Sequence, residues 1–224
     1  MRVVSLVPSV TETLLAWGIE PVAVTRFCEQ PRLLAVGGTK DPDIAAIVAL
    51  APDLVVVNTE ENRLEDAEAL TAAGVPLHVI TVDSVTDVGR HLQALADAVG
   101  VPVPRSWEPP RFGGPRRRAF VPIWRRPWMS LAAGTYGSSL LASLGVDTLF
   151  ADAVDRYPEV TLGRAAALAP DLVVAPSEPY PFAERHRGEL EAVAPVVLVD
   201  GQDLFWWGSR TPDAHRRLAR VLAG

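Results

Sequence analysis

The spacing of apolar residues along the chain alternates between two periods. A short β-branched run, VVSLVPS at 3–9, predicts a strand. Apolar residues at helical spacing predict helices in VTETLLAWG at 10–18 and RLEDAEALTAAG at 63–74. We expect Ser9 or Thr11 to cap the first of these helices. Because strands and helices alternate, the pattern predicts parallel sheets covered by helices.

The phrase ALAPDLVV occurs twice, letter for letter, at 49–56 and at 167–174. In each copy we expect a helix to end before the proline and a buried parallel strand to follow the aspartate. The order of elements around the phrase is also repeated, so the sequence predicts two similar α/β halves. Asp53 and Asp171 are accordingly interpreted as structural residues.

The predicted fold class is α/β, with two Rossmann-like, doubly wound lobes that each contain a parallel sheet. We place an N-terminal lobe at 1–83, a connecting segment at 84–118 and a C-terminal lobe at 119–224. SVTDVGRHLQALADAVG at 84–100 predicts one helix in this connection. The prolines of residues 101–118 exclude a second. The lobes are therefore expected to be joined by a shortened helical linker.

Charge and cysteine content exclude several classes of function. The formal net charge is −6, which argues against nucleic acid as a partner because phosphate binding needs clustered Lys and Arg. Cys28 is the single cysteine, which excludes an internal disulfide and a cysteine-based zinc site. The four histidines are scattered, and no nucleophile is paired with a base. We therefore predict neither catalytic residues nor a resident metal.

No stretch approaches the ~20 uninterrupted apolar residues that a membrane-spanning helix needs, so no membrane segment is expected. The start MRVVSLVPSVTETLLAWG does not fit a signal peptide, because Pro8 and the polar pair Thr11-Glu12 interrupt the apolar run. We expect a cytoplasmic protein, or an extracytoplasmic one if a leader has been removed.

Aromatic residues are concentrated in the loops and turns beside the predicted strand ends. Ligands of open parallel sheets bind beyond the carboxyl ends of the strands, and two such lobes facing each other would form a cleft between them. Flat rings suit a large, flat, partly apolar ligand. The expected ligand contacts are Phe27, Trp124, Trp128, Tyr157, Tyr180, Trp206 and Trp207.

Polar residues in the corresponding loops are expected to orient the polar substituents of the ligand. These residues are Thr59, Glu60, Asn62, Ser177 and Glu178. Three interpretations stay open for the loop glutamates, including Glu61: metal ligands, hydrogen-bond acceptors, or solvated carboxylates near helix N-termini.

Several motifs together resemble one class of proteins. They include RVVSLVPSVTETLLAWG, AVTRFCEQP, WRRPWMS, FADAVDRYPEVTL and DLVVAPSEPYPF. They resemble the substrate-binding proteins of vitamin B12 and iron-chelate ABC importers, especially the helical-backbone metal-receptor branch. The resemblance implies two α/β lobes joined by a helix, with the ligand between them. It also implies aromatic contacts to a corrin from Phe27, Trp128 and Tyr157.

Two positions depart from this resemblance. Importer-coupled members carry one surface glutamate on each lobe, just before the PDLV strand, which docks on the permease. Ala45 and Gly163 occupy these positions here. We therefore predict a protein that does not dock on a permease.

The predicted function is non-enzymatic binding of a corrinoid or related metal chelate in an aromatic cleft between the lobes. The chelate would be a small-molecule ligand and not an intrinsic cofactor. A first alternative is the receptor of an ABC importer for an iron siderophore or haem. A second is an enzyme that uses Glu60 and Glu178 in acid/base chemistry.

Overall fold

A computed structural model describes residues 1–102 and 107–223. Residues 103–106 of the predicted linker lie outside the described residues. The chain divides into two compact units. The described residues of the first unit are 1–81, 88–102 and 207–209, and those of the second are 82–87, 107–206 and 210–223. Within these ranges, no helix has the length and apolar character needed to cross a membrane.

The first unit contains a four-stranded parallel sheet with the strand order β2-β1-β3-β4. Its strands are β1 (Val3–Ser5), β2 (Ala23–Val24), β3 (Leu54–Asn58) and β4 (Leu77–Ile80). Its helices are α1 (Pro8–Ala16), α2 (Ile44–Ala49), α3 (Leu64–Ala72) and α4 (Val88–Val99), and a 3-10 turn spans Arg26–Cys28. Buried aliphatic residues of the sheet and helices, among them Val4, Ile47, Val55 and Leu70, form its core.

The helix starts of this unit illustrate two ways of beginning a helix. The Asp43 carboxylate accepts a hydrogen bond from the Ala46 N–H and caps α2. Helix α1 instead begins at Pro8, whose ring is suited to the first turn because it needs no N–H partner. The expected cap by Ser9 or Thr11 is therefore wrong, since both residues lie inside the helix.

The second unit contains a four-stranded parallel sheet with the order β11-β10-β5-β8 and a three-stranded antiparallel sheet with the order β6-β7-β9. The parallel strands are β5 (Arg117–Phe120), β8 (Val146–Thr148), β10 (Leu172–Pro176) and β11 (Val196–Val199). The antiparallel strands are β6 (Pro122–Trp124), β7 (Trp128–Ser130) and β9 (Glu159–Val160).

Helices and 3-10 turns complete the second unit. The helices are α5 (Tyr136–Ser143), α6 (Leu162–Ala167), α7 (Arg187–Leu190), α8 (Gly201–Phe205) and α9 (Thr211–Ala223). The 3-10 turns are Val85–Asp87 and Glu184–His186. The core of this unit is built around Phe120, Phe150, Val173 and Leu190.

The two parallel sheets have the same topology. In each, the strand that comes first in the chain lies between the second and third strands, and the fourth strand lies at an edge. This order is that of a doubly wound sheet, as the sequence predicts. In AFVPIW at 119–124, Pro122 cannot donate to a ladder, and the chain leaves the parallel sheet after Phe120. Strand β6 then pairs with β7 in the antiparallel sheet.

The repeated phrase has the same structural role in both units. The Asp53 and Asp171 carboxylates accept hydrogen bonds from the backbone N–H groups of Arg2 and Arg118, each at 2.6 Å. The same two arginine side chains donate to the carbonyl oxygens of Leu50 and Leu168, at the ends of α2 and α6. The phrase therefore joins a helix end to the start of the first strand, which confirms that both aspartates are structural.

Both copies also place an alanine in the left-handed region, at φ 44° for Ala51 and 46° for Ala169. The left-handed conformation costs an L-residue about 1–2 kcal/mol of steric strain. Glycine has no such strain, but it loses more conformational entropy on folding, so only part of this energy is gained. We expect Ala51→Gly and Ala169→Gly each to raise the free energy of unfolding by about 0.5–1 kcal/mol, measured by urea denaturation. Ala49→Gly, at an exposed helical position, should lower it by up to about 1 kcal/mol. Destabilisation at all three positions would contradict this explanation.

Tyr136 links α5 to α9 through a 3.2 Å hydrogen bond between its hydroxyl and that of Thr211. Burial raises the pKa of Tyr136 to about 12, whereas an unfolded tyrosine titrates near 10. The folded state therefore binds more protons between these values, and stability should fall by up to about 2–3 kcal/mol as pH rises from about 10 to about 12. Urea unfolding of Tyr136→Phe over the same range should show a smaller decrease. An equal decrease in both proteins would contradict this assignment.

Candidate functional site

Four aromatic residues of the second unit, Trp124, Trp128, Tyr180 and Phe182, form what we call the aromatic cluster. Strands β6 and β7 supply the tryptophans, and the loop after β10 supplies Tyr180 and Phe182. Trp128 stacks on Phe182 with ring centroids 5.9 Å apart and an angle of 8° between the planes. Tyr180 lies 4.7 Å from Phe182 and meets Trp124 edge to face at 5.7 Å.

The four rings of the aromatic cluster differ in their exposure to solvent. Phe182 is buried, Trp128 and Tyr180 are partly buried, and Trp124 is 43% exposed. Burial of Phe182 among core residues fixes the ring on which Trp128 stacks. The partly exposed Trp128 ring is therefore held by a buried support, as a preorganised stacking site requires.

Charged and polar side chains hold the cluster in place. Arg125, between the two tryptophans, pairs with the Glu189 carboxylate at 2.8 Å, and its guanidinium lies 6.0 Å from the centre of the Trp128 ring. The pKa of Arg125 is raised, chiefly by hydrogen bonding to the Tyr180 hydroxyl; desolvation opposes this shift, and the charge of Glu189 adds a further increase. The charged guanidinium of Arg125 therefore contacts both Trp128, on β7, and Tyr180, in the loop after β10.

His186 lies beneath the cluster, with its ring 5.5 Å from Tyr180 and 5.6 Å from Phe182. Its Nδ1 accepts a hydrogen bond from the Ala183 N–H at 3.1 Å. Burial, followed by the nearby positive charges of Arg185 and Arg125, lowers the pKa of His186. A neutral imidazole that accepts at Nδ1 carries its proton on Nε2, so this residue supports the rings in one tautomer.

Ser177, Glu178 and Trp206 form a second group, which connects the loop after β10 to α8. The Ser177 hydroxyl accepts the Gly201 N–H at 2.9 Å, and the Trp206 indole N–H donates to the Glu178 carboxylate at 3.1 Å. The Arg210 guanidinium lies 5.2 Å from the centre of the Trp206 ring. These expected ligand groups thus already have partners within the unit.

The first unit carries five of the expected ligand residues, and four of them lie in its N-terminal part. Phe27, in the 3-10 turn after β2, is 50% exposed, and the Arg26 guanidinium lies 4.8 Å from its ring centre. Thr59 and Glu60 are exposed in the loop after β3. Asn62 is buried, and its amide group binds backbone atoms of Leu6, Thr39 and Asn58. Asn62 therefore shapes this loop.

Tyr157 and Trp207 differ in their accessibility. Tyr157 is partly buried in the segment that leads into β9, where the Ser130 N–H donates to the Pro158 carbonyl. It thus lies beside the antiparallel sheet that carries Trp124 and Trp128. Trp207 is only 3% exposed, so we leave it out of the ligand contacts proposed below.

Sequence reasoning missed Arg125, His186 and Glu189 as supports of the cluster. The position of Arg125 between two tryptophans in WRRPW was the available signal. Glu189 is 64 positions further along the chain, and no local pattern indicates its pairing with Arg125.

Within the described residues, no group of three or more His, Cys, Asp or Glu side chains is arranged to hold a metal ion. Cys28 is buried, with its sulfur 3.2 Å from the hydroxyls of both Thr11 and Thr25. A buried, hydrogen-bonded thiol of this kind is a packing residue.

No protein-family model matches the chain. The chain is 25% identical to the vitamin B12-binding protein of Salmonella paratyphi A, over 77% of this chain and 71% of that protein. Its fold matches the periplasmic vitamin B12-binding protein of Vibrio cholerae with a TM-score of 0.77 and 19% identity, covering 99% and 96% of the two chains. It also matches a periplasmic haem-binding protein of Pseudomonas aeruginosa with a TM-score of 0.79 and 19% identity, covering 98% and 91%.

The resemblance to the helical-backbone class of substrate-binding proteins is thereby confirmed. The two-unit α/β architecture agrees with the fold of this class. All three relatives are named as binding proteins, in agreement with the expectation of a binding protein rather than an enzyme. The two solved structures are described as periplasmic and give no support to a cytoplasmic location.

Proposed function

We propose that this protein binds a planar metal chelate on the aromatic cluster, with a corrinoid as the first candidate. The observation that carries the proposal is the partly exposed pair Trp124 and Trp128, supported from below by Phe182. Offset or edge contacts with such rings stabilise flat ligands without a need for charge. Relatives named as vitamin B12-binding and haem-binding proteins support this ligand class.

Individual residues have separate proposed roles. Trp124, Trp128 and Tyr180 would stack against the chelate, and Tyr157 would extend this surface along the antiparallel sheet. Trp206 and Glu178 would contact the ligand only at its margin, because they already bond to each other. On the first unit, Phe27 and the exposed loop residues Thr59 and Glu60 are also proposed to contact the ligand.

A haem or iron-siderophore receptor is the second candidate. The match to a periplasmic haem-binding protein supports it. An extracytoplasmic location suits both candidates, because the two solved structures are described as periplasmic.

A panel of chelates tests the proposal. The protein would be mixed separately with hydroxocobalamin, haemin and ferrichrome and then passed through a size-exclusion column. We expect the visible absorbance of hydroxocobalamin to co-elute with the protein and to quench tryptophan fluorescence. Co-elution of haemin or ferrichrome alone would select the second candidate. Absence of co-elution for all three would contradict chelate binding.

The protein is also proposed to act without the usual permease contact. Ala45 and Gly163 are exposed on α2 and α6, where the resemblance leads us to expect docking glutamates. Neither residue offers a carboxylate to a basic permease surface. We expect the purified protein to leave the ATPase rate of a reconstituted vitamin B12 importer unchanged. Stimulation of that rate would contradict this part of the proposal.

A further inference from the structure

A separate pocket lies at the opposite end of the second unit's parallel sheet. Its volume is about 460 Å³, and it is lined by the segment before β5, the end of α5 and the last turns of α9. Arg117 begins β5 at this edge, whereas Tyr180 follows the carboxyl end of β10. The pocket and the aromatic cluster therefore share no side chain. Pockets of this size take one small organic molecule.

One part of the pocket wall is apolar. Phe112, Leu144 and Leu222 contribute to it, and Phe112 is 45% exposed. The Phe112 ring lies against Gly145, where a Cβ atom would come within 2.2 Å of it. Gly145 also has a φ of 77°, which favours glycine. The Phe112 ring thus packs directly on the backbone of Gly145, which fixes its position in the pocket.

The other part of the wall is basic. Arg111, Arg117 and His215 line it, and none of the described lining residues is acidic. This composition contrasts with a chain whose formal net charge is −6. Arg117 donates to the Leu222 carbonyl, which takes one of the five N–H donors that a guanidinium carries. Arg111 is exposed at the pocket rim.

His215 adds an unsatisfied polar atom to this wall. The residue is 6% exposed, and its Nε2 has no hydrogen-bond partner among the residues that the structure describes. Trp107 packs edge to face on the ring at 5.3 Å. Burial lowers the pKa of His215, so the positive charge of the pocket comes from the two arginines.

We infer that this pocket binds a small amphipathic organic acid. Arg111 and Arg117 would hold its carboxylate, and Phe112, Leu144 and Leu222 would contact its apolar body. Guanidinium groups bind carboxylates through strong, charge-assisted hydrogen bonds. The apolar residues of the same pocket select acids with a hydrocarbon body over inorganic anions. The inference does not rest on chelate binding, and the two ideas can fail separately.

Decanoate is the probe for this pocket, with decan-1-ol and acetate as matched controls that lack the charge or the chain. Titrations would be followed by calorimetry and by backbone amide chemical shifts. We expect saturable binding of decanoate, with shifts at residues 111–117, 143–145 and 215–223. Both controls should bind at least about tenfold more weakly, because each lacks one of the two contacts.

Three arginine variants locate the charge contact. Arg117→Gln and Arg111→Gln should each weaken decanoate binding by about fivefold or more. Arg111 is exposed, so its variant tests the contact without the Leu222 bond that Arg117 makes. Arg220→Gln, at an exposed position of α9 outside the pocket, should leave binding unchanged.

Any of the following results would overturn the inference: no saturable binding of decanoate, equal binding of decan-1-ol, shifts confined to the aromatic cluster, or unchanged affinity in both Arg111→Gln and Arg117→Gln. Flotation of the protein with phosphatidylglycerol vesicles, without binding of free decanoate, would indicate an anionic lipid surface instead and would also overturn it.

Discussion

Replacement of Trp128 and Tyr157 together by alanine is expected to weaken chelate binding by at least about 1–3 kcal/mol, or about five- to 150-fold in Kd. Trp128 presents one face above Phe182, and Tyr157 lies beside the same antiparallel sheet. Loss of both rings removes part of the proposed stacking surface and changes no residue of the parallel sheet. The affinity would be measured by tryptophan fluorescence quenching with the chelate that co-elutes.

The matched control for this double variant is Trp128→Phe with Tyr157→Phe, which keeps a flat ring at both positions and should retain most of the affinity. Because Trp128 also packs on Phe182, thermal unfolding of each variant would separate lost binding from lost folding. Trp124→Ala, at a position that is 43% exposed, adds a test with less effect on packing. Unchanged affinity in the alanine double variant would show that the rings do not bind the chelate.

Gly201→Ala is expected to lower the free energy of unfolding by about 1–3 kcal/mol, as is typical of overpacking. A Cβ atom at Gly201 would lie 2.4 Å from the backbone nitrogen of Glu178. Either α8 or the loop after β10 must therefore shift. That shift would stretch the hydrogen bond from the Gly201 N–H to Ser177 and the bond between Trp206 and Glu178.

Gly188→Ala is the matched control, because a Cβ atom at this exposed position of α7 meets nothing within 4 Å. Alanine is the better helix former, so we expect unchanged stability or a gain of up to about 1 kcal/mol. Urea denaturation of both variants gives the comparison. Equal stability of the two would mean that α8 does not pack closely on the Glu178 loop.

The sequence predicted the parallel sheets because β1, β3 and β10 are buried along their whole length. Val55 and Val173 lie in uninterrupted apolar runs that few other elements could accommodate, and the repeated ALAPDLVV phrase marks equivalent strands. The start of α1 was misplaced because Pro8, which often interrupts a strand, here occupies the first turn of a helix. Secondary-structure propensity alone does not distinguish a proline that ends a strand from one that begins a helix.

The antiparallel sheet and the supports of the aromatic cluster were harder to predict. Strands β6, β7 and β9 have two or three residues each, which is too short for an alternating pattern to be recognised. The sequence did indicate rings at the strand ends, including Trp124, Trp128 and Tyr180. It did not indicate that His186 lies beneath Tyr180 and Phe182, because that contact depends on the path of the loop after β10.

A crystal structure of the protein with the chelate selected by co-elution tests the central claim most directly. We expect a chelate whose ring plane lies against Trp124 and Trp128, with Tyr180 at its edge. Electron density for the chelate at any other surface, with both tryptophan faces uncovered, would contradict it.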